Sequence, residues 1–145
     1  MDLDRRISPL VDALNQLPGV NTTGSCEGHM DGKLPYVSFV CDQAALWPIV
    51  RAANILNAQE PQQVRAYVEI LAYGEGRLEV VLRFHHLFLK VKPMPSTVAE
   101  WHRRIKQMTD LLLAEIATGA LSNADAKRAF SRRRPNRGRR GESRD

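Results

Sequence analysis

Cysteine is scarce in this chain: Cys26 and Cys41 are the only two in 145 residues. That is too few for the disulfide framework of a small secreted domain, and a chain of this length can bury roughly 70% of its unfolded surface without such staples. Aromatic residues are also few, at 6%. No run approaches the ~18 consecutive apolar residues that cross a bilayer. Met1-Asp2-Leu3-Asp4 lacks the basic start and apolar stretch of a secretory signal, so a cytoplasmic protein with reduced thiols and no membrane association is expected. There is no internal repeat. What is present is ordinary globular composition, 43% hydrophobic and 26% charged, which excludes a disordered or collagen-like chain and fits one domain.

The charge is unevenly placed. Residues 1–126 carry 12 Lys/Arg against 14 Asp/Glu, net −2, whereas residues 127–145 carry 9 against 2, net +7. The expected organisation is a mildly acidic globular domain over 1–126 and a basic extension over 127–145, largely disordered because it has almost nothing apolar to bury.

Apolar spacing gives the elements. Ser8-Pro9 can start a helix carried by Ile7, Leu10, Val11 and Leu14 up to Pro18-Gly19. Val20 to Cys26 reads as a strand, a glycine-containing loop follows to Pro35, and Tyr36 to Val40 is a second strand. Asp42 can cap a helix from about 43 to 57, with Pro48 forcing a late start or a kink. Val64 to Tyr73 and Arg77 to Phe84 alternate around Gly74-Glu75-Gly76, predicting a β-hairpin. The apolar phase then slips at His85-His86 to Leu87, Leu89 and Val91, which predicts a bulge or bend there. Thr97 to Glu100 fits a capping box for a long helix ending at Gly119, with another helical turn or two from Ser122 to Phe130. The fold class is α/β of the α+β type, in the order αββαββα.

The most unusual string is Thr22-Thr23-Gly24-Ser25-Cys26-Glu27-Gly28-His29, followed by Met30-Asp31-Gly32. Thiol, carboxylate and imidazole fall within four residues, between glycines that let a backbone approach a ligand. Cys26 and His29 are the candidate catalytic pair, and Thr23, Ser25, Glu27, Gly28 and Asp31 the candidate ligand-binding residues. Three chemistries remain open. A thiolate nucleophile would need an orienting third group and an oxyanion stabiliser. A zinc ion would need Cys41, His85 or His86 recruited across the fold, so no metal is assigned. Hydrogen bonding of a polar or anionic ligand needs neither, and the loop could also be a structural turn. A Cys26 to Cys41 disulfide is excluded: paired strands put the two thiols several residues apart at ~3.3 Å each, beyond the ~7 Å reach of the bond.

This string resembles the signature T-T-S-S-C-S-G-R of the tRNA wybutosine-synthesis methyltransferases. Thr22, Thr23, Ser25, Cys26 and Gly28 match in place, with Gly24 and Glu27 standing for serines and His29 for the arginine. The resemblance spans about eight residues. It implies an α/β domain of that family's type with the loop at a tRNA-substrate or S-adenosylmethionine site.

Two further features point to a partner. Pairing Ala72 with Leu78 would set Tyr67 opposite Arg83 and Arg65 opposite His85, a polar sheet face able to stack and hold single-stranded nucleic acid. Arg132, Arg133, Arg134, Arg137, Arg139 and Arg140 can make bidentate phosphate contacts, with no amphipathic or aromatic pattern for a membrane. The sequence therefore predicts a nucleic-acid-binding protein, RNA preferred over DNA, linked to RNA modification through its Ser/Cys/His loop. The alternative is a non-enzymatic interaction protein, of mobile-element type, that binds or inhibits a nucleic-acid-containing complex.

Overall fold

In the computed structural model residues 4–60, 64–86 and 93–133 are described, with side chains described as far as residue 119. The alternating segments become strands β1 (Asn21–Cys26), β2 (Tyr36–Asp42), β3 (Arg65–Gly74) and β4 (Arg77–His85). The helically spaced segments become α1 (Ser8–Asn15), α2 (Gln43–Gln59) and α3 (Pro95–Arg133). The strands form one antiparallel sheet in the order β1-β2-β4-β3. The fold is α+β.

The inner face of the sheet carries Val37, Phe39, Cys41, Leu78, Val80, Leu82 and Phe84. These join Leu10 and Leu14 of α1, Ile49 and Leu56 of α2, and Trp101, Ile105, Met108 and Leu112 of α3 in a single buried core. All three helices thus spend their apolar stripes on one side of the sheet. Among the described residues no helix covers the opposite face.

Turn chemistry fixes the hairpin. Glu75 and Gly76 both have positive φ, 51° and 80°, between the paired Gly74 and Arg77, the left-handed pair that a two-residue turn needs to match strand twist. The pairings Arg65 with His85 and Tyr67 with Arg83 are as the alternation predicts. Past Ile70 the register slips by one, so Ala72 faces Glu79 and not Leu78. The bulge at Leu71 was not legible because apolar residues flank it on both sides. Ile70, Leu71 and Tyr73 are left exposed where the hairpin outruns the helices.

Three boundaries differ from expectation. Ser8 lies inside α1, following a turn in which Asp4 C=O accepts from the Ile7 and Ser8 amides. Asp42 takes the N-cap position of α2 without capping by its side chain, and Pro48 is held inside that helix, where its missing N–H leaves a single carbonyl one turn back without its partner. α3 is continuous through Gly119 and the Ser122 turn to Arg133; one glycine costs a helix only ~1 kcal/mol relative to alanine, too little to end one. It starts at Pro95, a residue suited to the first turn, and Thr97 Oγ1 accepts from the Met94 amide. Leu87, Leu89 and Val91, and with them the second half of the expected slip, lie outside the described residues. Cys26 and Cys41 are both buried free thiols. Among the described residues no helix is long and apolar enough to cross a membrane.

Candidate functional site

The motif string sits at the end of β1, an edge strand. Thr23 is the bulged residue between Thr22 and Gly24; its hydroxyl donates to Ser38 Oγ at 3.0 Å, and Ser38 Oγ donates to Gly24 C=O at 3.3 Å. Ser25 pairs with Val37 and Cys26 with Tyr36. The chain then turns sharply. Gly28 has φ +87°, and a Cβ there would lie 2.6 Å from the Trp101 ring and 2.8 Å from Pro35, so only glycine lets this loop seat against the start of α3. Asp31 is spent on the turn: its Oδ1 accepts from the Lys33 amide at 3.1 Å, and it takes no part in the cluster described next.

That cluster was only half visible in the sequence. Asp4, ahead of α1, folds onto the loop, where its Oδ2 meets His29 Nε2 at 3.2 Å and accepts from the Glu27 amide at 3.2 Å. The Gly28 amide donates to Cys26 Sγ at 3.5 Å. Donor atoms of Asp4, Cys26 and His29 lie within 4.8 Å of one another. Glu27 faces the other way: its carboxylate accepts from the Arg6 amide at 3.1 Å and stands 3.9 Å from His102 Nε2. Burial pushes His102 below its ordinary range, a shift that the Glu27 carboxylate opposes. Neither His102 Nε2 nor Trp101 Nε1 has a hydrogen-bond partner among the described residues, although both atoms are buried. Beside them a cleft of about 420 Å³ is lined by Arg6, Val98, His102, Arg103 and Lys106. Arg103 is tied to Glu60 and Glu100 at 2.6 and 2.7 Å.

The open face of the sheet joins the same site. Cys26 pairs with Tyr36, Tyr36 with Arg83, and Arg83 with Tyr67. Thiol, phenol, guanidinium and phenol therefore form one cross-strand row, with successive strands roughly 4.8 Å apart. Tyr67 stacks on His85, ring centroids 4.2 Å apart and planes at 13°. Arg83 is held by Glu69 at 3.1 Å, a carboxylate that partly neutralises the patch.

The structure thus brings Cys26 and His29 together with Asp4, turns the Glu27 carboxylate away toward Arg6 and His102, aligns Tyr67 and Arg83 with Cys26 across the sheet, and leaves Asp31 apart in its turn. Arg132 and Arg133 end α3; Arg134, Arg137, Arg139 and Arg140 lie outside the described residues. Asp4, Arg6, Tyr36, Trp101 and His102 were missed. Tyr36 had a signal, since alternation with Val37 and Phe39 marks it as outward-facing, but its alignment with Arg83 requires the strand order. Asp4 had none, lying 22 residues before Cys26 on a segment without periodicity. Compared with protein-family models, curated proteins and solved structures, the chain matches none.

Proposed function

We propose that this protein binds single-stranded nucleic acid, RNA in preference to DNA, across the open face of its sheet, and presents the bound strand to the Cys26 to His29 loop. The row Cys26, Tyr36, Arg83, Tyr67 carries this reading. Two aromatic rings flanking a guanidinium supply stacking surfaces and a phosphate contact, and a sheet face with aromatics suits unpaired bases. The hydroxyls of Thr23 and Ser38 can exchange hydrogen bonds with a ribose 2′-hydroxyl, which favours RNA. The six arginines of 132–140 add sequence-independent attraction. At the end of the row, the carboxylate of Asp4, the imidazole of His29 and the thiol of Cys26 stand where they can act on the bound strand, in keeping with a role in RNA modification.

The test is binding of a labelled single-stranded oligoribonucleotide by fluorescence anisotropy. Tyr67→Ala and Arg83→Ala should each weaken binding by about 1–3 kcal/mol, the range for loss of one base-stacking or charge-assisted contact. The duplex of the same sequence should bind more weakly, and its affinity should be indifferent to both substitutions. Equal affinity of wild type and both variants for the single strand would overturn the sheet-face reading.

A further inference from the structure

We infer that Asp4, Cys26 and His29 form a zinc site with three protein ligands and an open fourth position. The site does not depend on the nucleic-acid reading, because it rests on the donor atoms, their spacing and the contacts that hold them.

Zinc takes thiolate, imidazole and carboxylate ligands in tetrahedral arrangement, and three protein ligands with one open position is the pattern of its reactive sites. With bonds of ~2.05 Å to nitrogen and oxygen and ~2.3 Å to sulfur, a tetrahedron places the nitrogen and oxygen donors about 3.3 Å apart and the sulfur about 3.5 Å from each. Asp4 Oδ2 and His29 Nε2 stand 3.2 Å apart. All three donors fall within 4.8 Å of one another, so closing the sulfur edges onto an ion needs a shift of at most about 1.3 Å.

Three further observations suit a cation. The ligands converge from separate places, the segment before α1, the end of β1 and the following loop, so the fold assembles them where no single turn would. Each anionic donor already receives an amide: Gly28 N–H points to Cys26 Sγ and Glu27 N–H to Asp4 Oδ2, outer contacts of the kind that orient metal ligands. Gly28, wedged against Trp101 and Pro35, fixes the loop that carries both amides. Two anions and a neutral imidazole balance a divalent ion's charge. Thiolate and imidazole discriminate against magnesium and calcium, which take oxygen ligands.

The competing use of the same groups is a thiol nucleophile activated by His29. The two predict opposite behaviour toward the ion. The full-length protein, stripped by a chelator and titrated with zinc alone, should bind one equivalent and melt at a higher temperature. Cobalt as a substitute should give the thiolate charge-transfer band and intense tetrahedral d–d bands. Cys26→Ser should abolish the charge-transfer band, whereas Cys41→Ala should keep it. Asp4→Asn and His29→Gln, at half-exposed positions whose loss spares the core, should weaken zinc binding roughly 100-fold or more, at or above the range for outer-shell partners. Zinc should also protect Cys26 from alkylation. No stoichiometric zinc on the folded wild type would overturn the proposal, as would a charge-transfer band surviving Cys26→Ser or alkylation of Cys26 that zinc does not slow. RNA binding unchanged by chelation would leave the zinc result standing on its own, and zinc binding by a variant that no longer binds RNA would do the same.

Discussion

Replacing Gly28 by alanine tests how the motif is seated. Its φ of +87° lies in the left-handed region, which costs an alanine about 1–2 kcal/mol. The new methyl would also stand 2.6 Å from Trp101 Cε3 and 2.8 Å from Pro35 Cγ. Neither neighbour can easily retreat: Trp101 is 2% exposed in the core, and the carbonyl of the buried Pro35 accepts from the Phe84 amide. Overpacking of this kind adds about 1–3 kcal/mol, for a total near 2–5 kcal/mol. Gly32→Ala is the internal control, because Gly32 has φ +99° but nothing within 4 Å of its added Cβ. That variant should lose only the ~1–2 kcal/mol of backbone strain. Urea unfolding of wild type and both variants, followed by circular dichroism, measures the difference. If the loop yields by moving, stability will fall less, but the amides of Glu27 and Gly28 will leave Asp4 and Cys26, and ligand binding at the cluster will fall instead. A Gly28→Ala protein as stable as the Gly32→Ala protein, with unchanged binding, would refute the claim that the loop is locked against α3.

Other substitutions separate structure from function. Arg104, fully buried, donates to Val64 C=O at 2.9 Å, Leu56 C=O at 3.0 Å and Gln107 Oε1 at 2.8 Å, tying the end of α2 to the start of β3; Arg104→Met should cost about 2–4 kcal/mol in urea unfolding, the lost charge-assisted hydrogen bonds less the relief of burying a cation, and a loss below ~1 kcal/mol would contradict that role. Glu69→Gln removes the carboxylate that holds Arg83 and should raise affinity for single-stranded RNA by roughly 3–5-fold at low salt, an effect that fades as salt screens it; a lower affinity would mean Glu69 positions Arg83 for binding. His102 is held below its ordinary 6.5 by burial, so the unfolded chain takes up a proton first and the fold loses stability as pH falls from about 7 through 6.5 toward the folded value. His102→Gln should lessen the stability lost between about pH 7.5 and 5.5, and equal losses in both proteins would remove His102 as the cause.

Local patterns carried much of this fold. Period-two alternation gave β3 and β4 and their register through Ile70, because Ala66, Leu78, Val80, Leu82 and Phe84 face the core while most alternate positions stay polar; Val81, buried on the opposite face, departs from that pattern. The helices followed from their apolar stripes, while their ends did not: Gly119 was too weak a stop, and Pro48 sits in a helix whose core contacts through Ile49, Ala52 and Leu56 override its local preference. The site was legible only where its chemistry is contiguous. Cys26, Glu27, Gly28 and His29 announce themselves in one string, and Tyr67 and Arg83 in one hairpin. Strand order brought the two together, and strand order is set by how β2 inserts beside β4, a long-range pairing that no local spacing encodes. Asp4 and His102 reached the loop for the same reason, across 22 and 76 residues from Cys26.

The most direct test is to find where a bound strand lies. Photo-crosslinking of the full-length protein to a single-stranded RNA bearing 4-thiouridine, followed by mass spectrometry of the linked peptides, should place crosslinks on the peptides of β2 and β3 that contain Tyr36 and Tyr67, with weaker ones on the arginines of 132–140. Crosslinks confined to residues 132–140, and unchanged by Tyr67→Ala with Arg83→Ala, would contradict the sheet-face account.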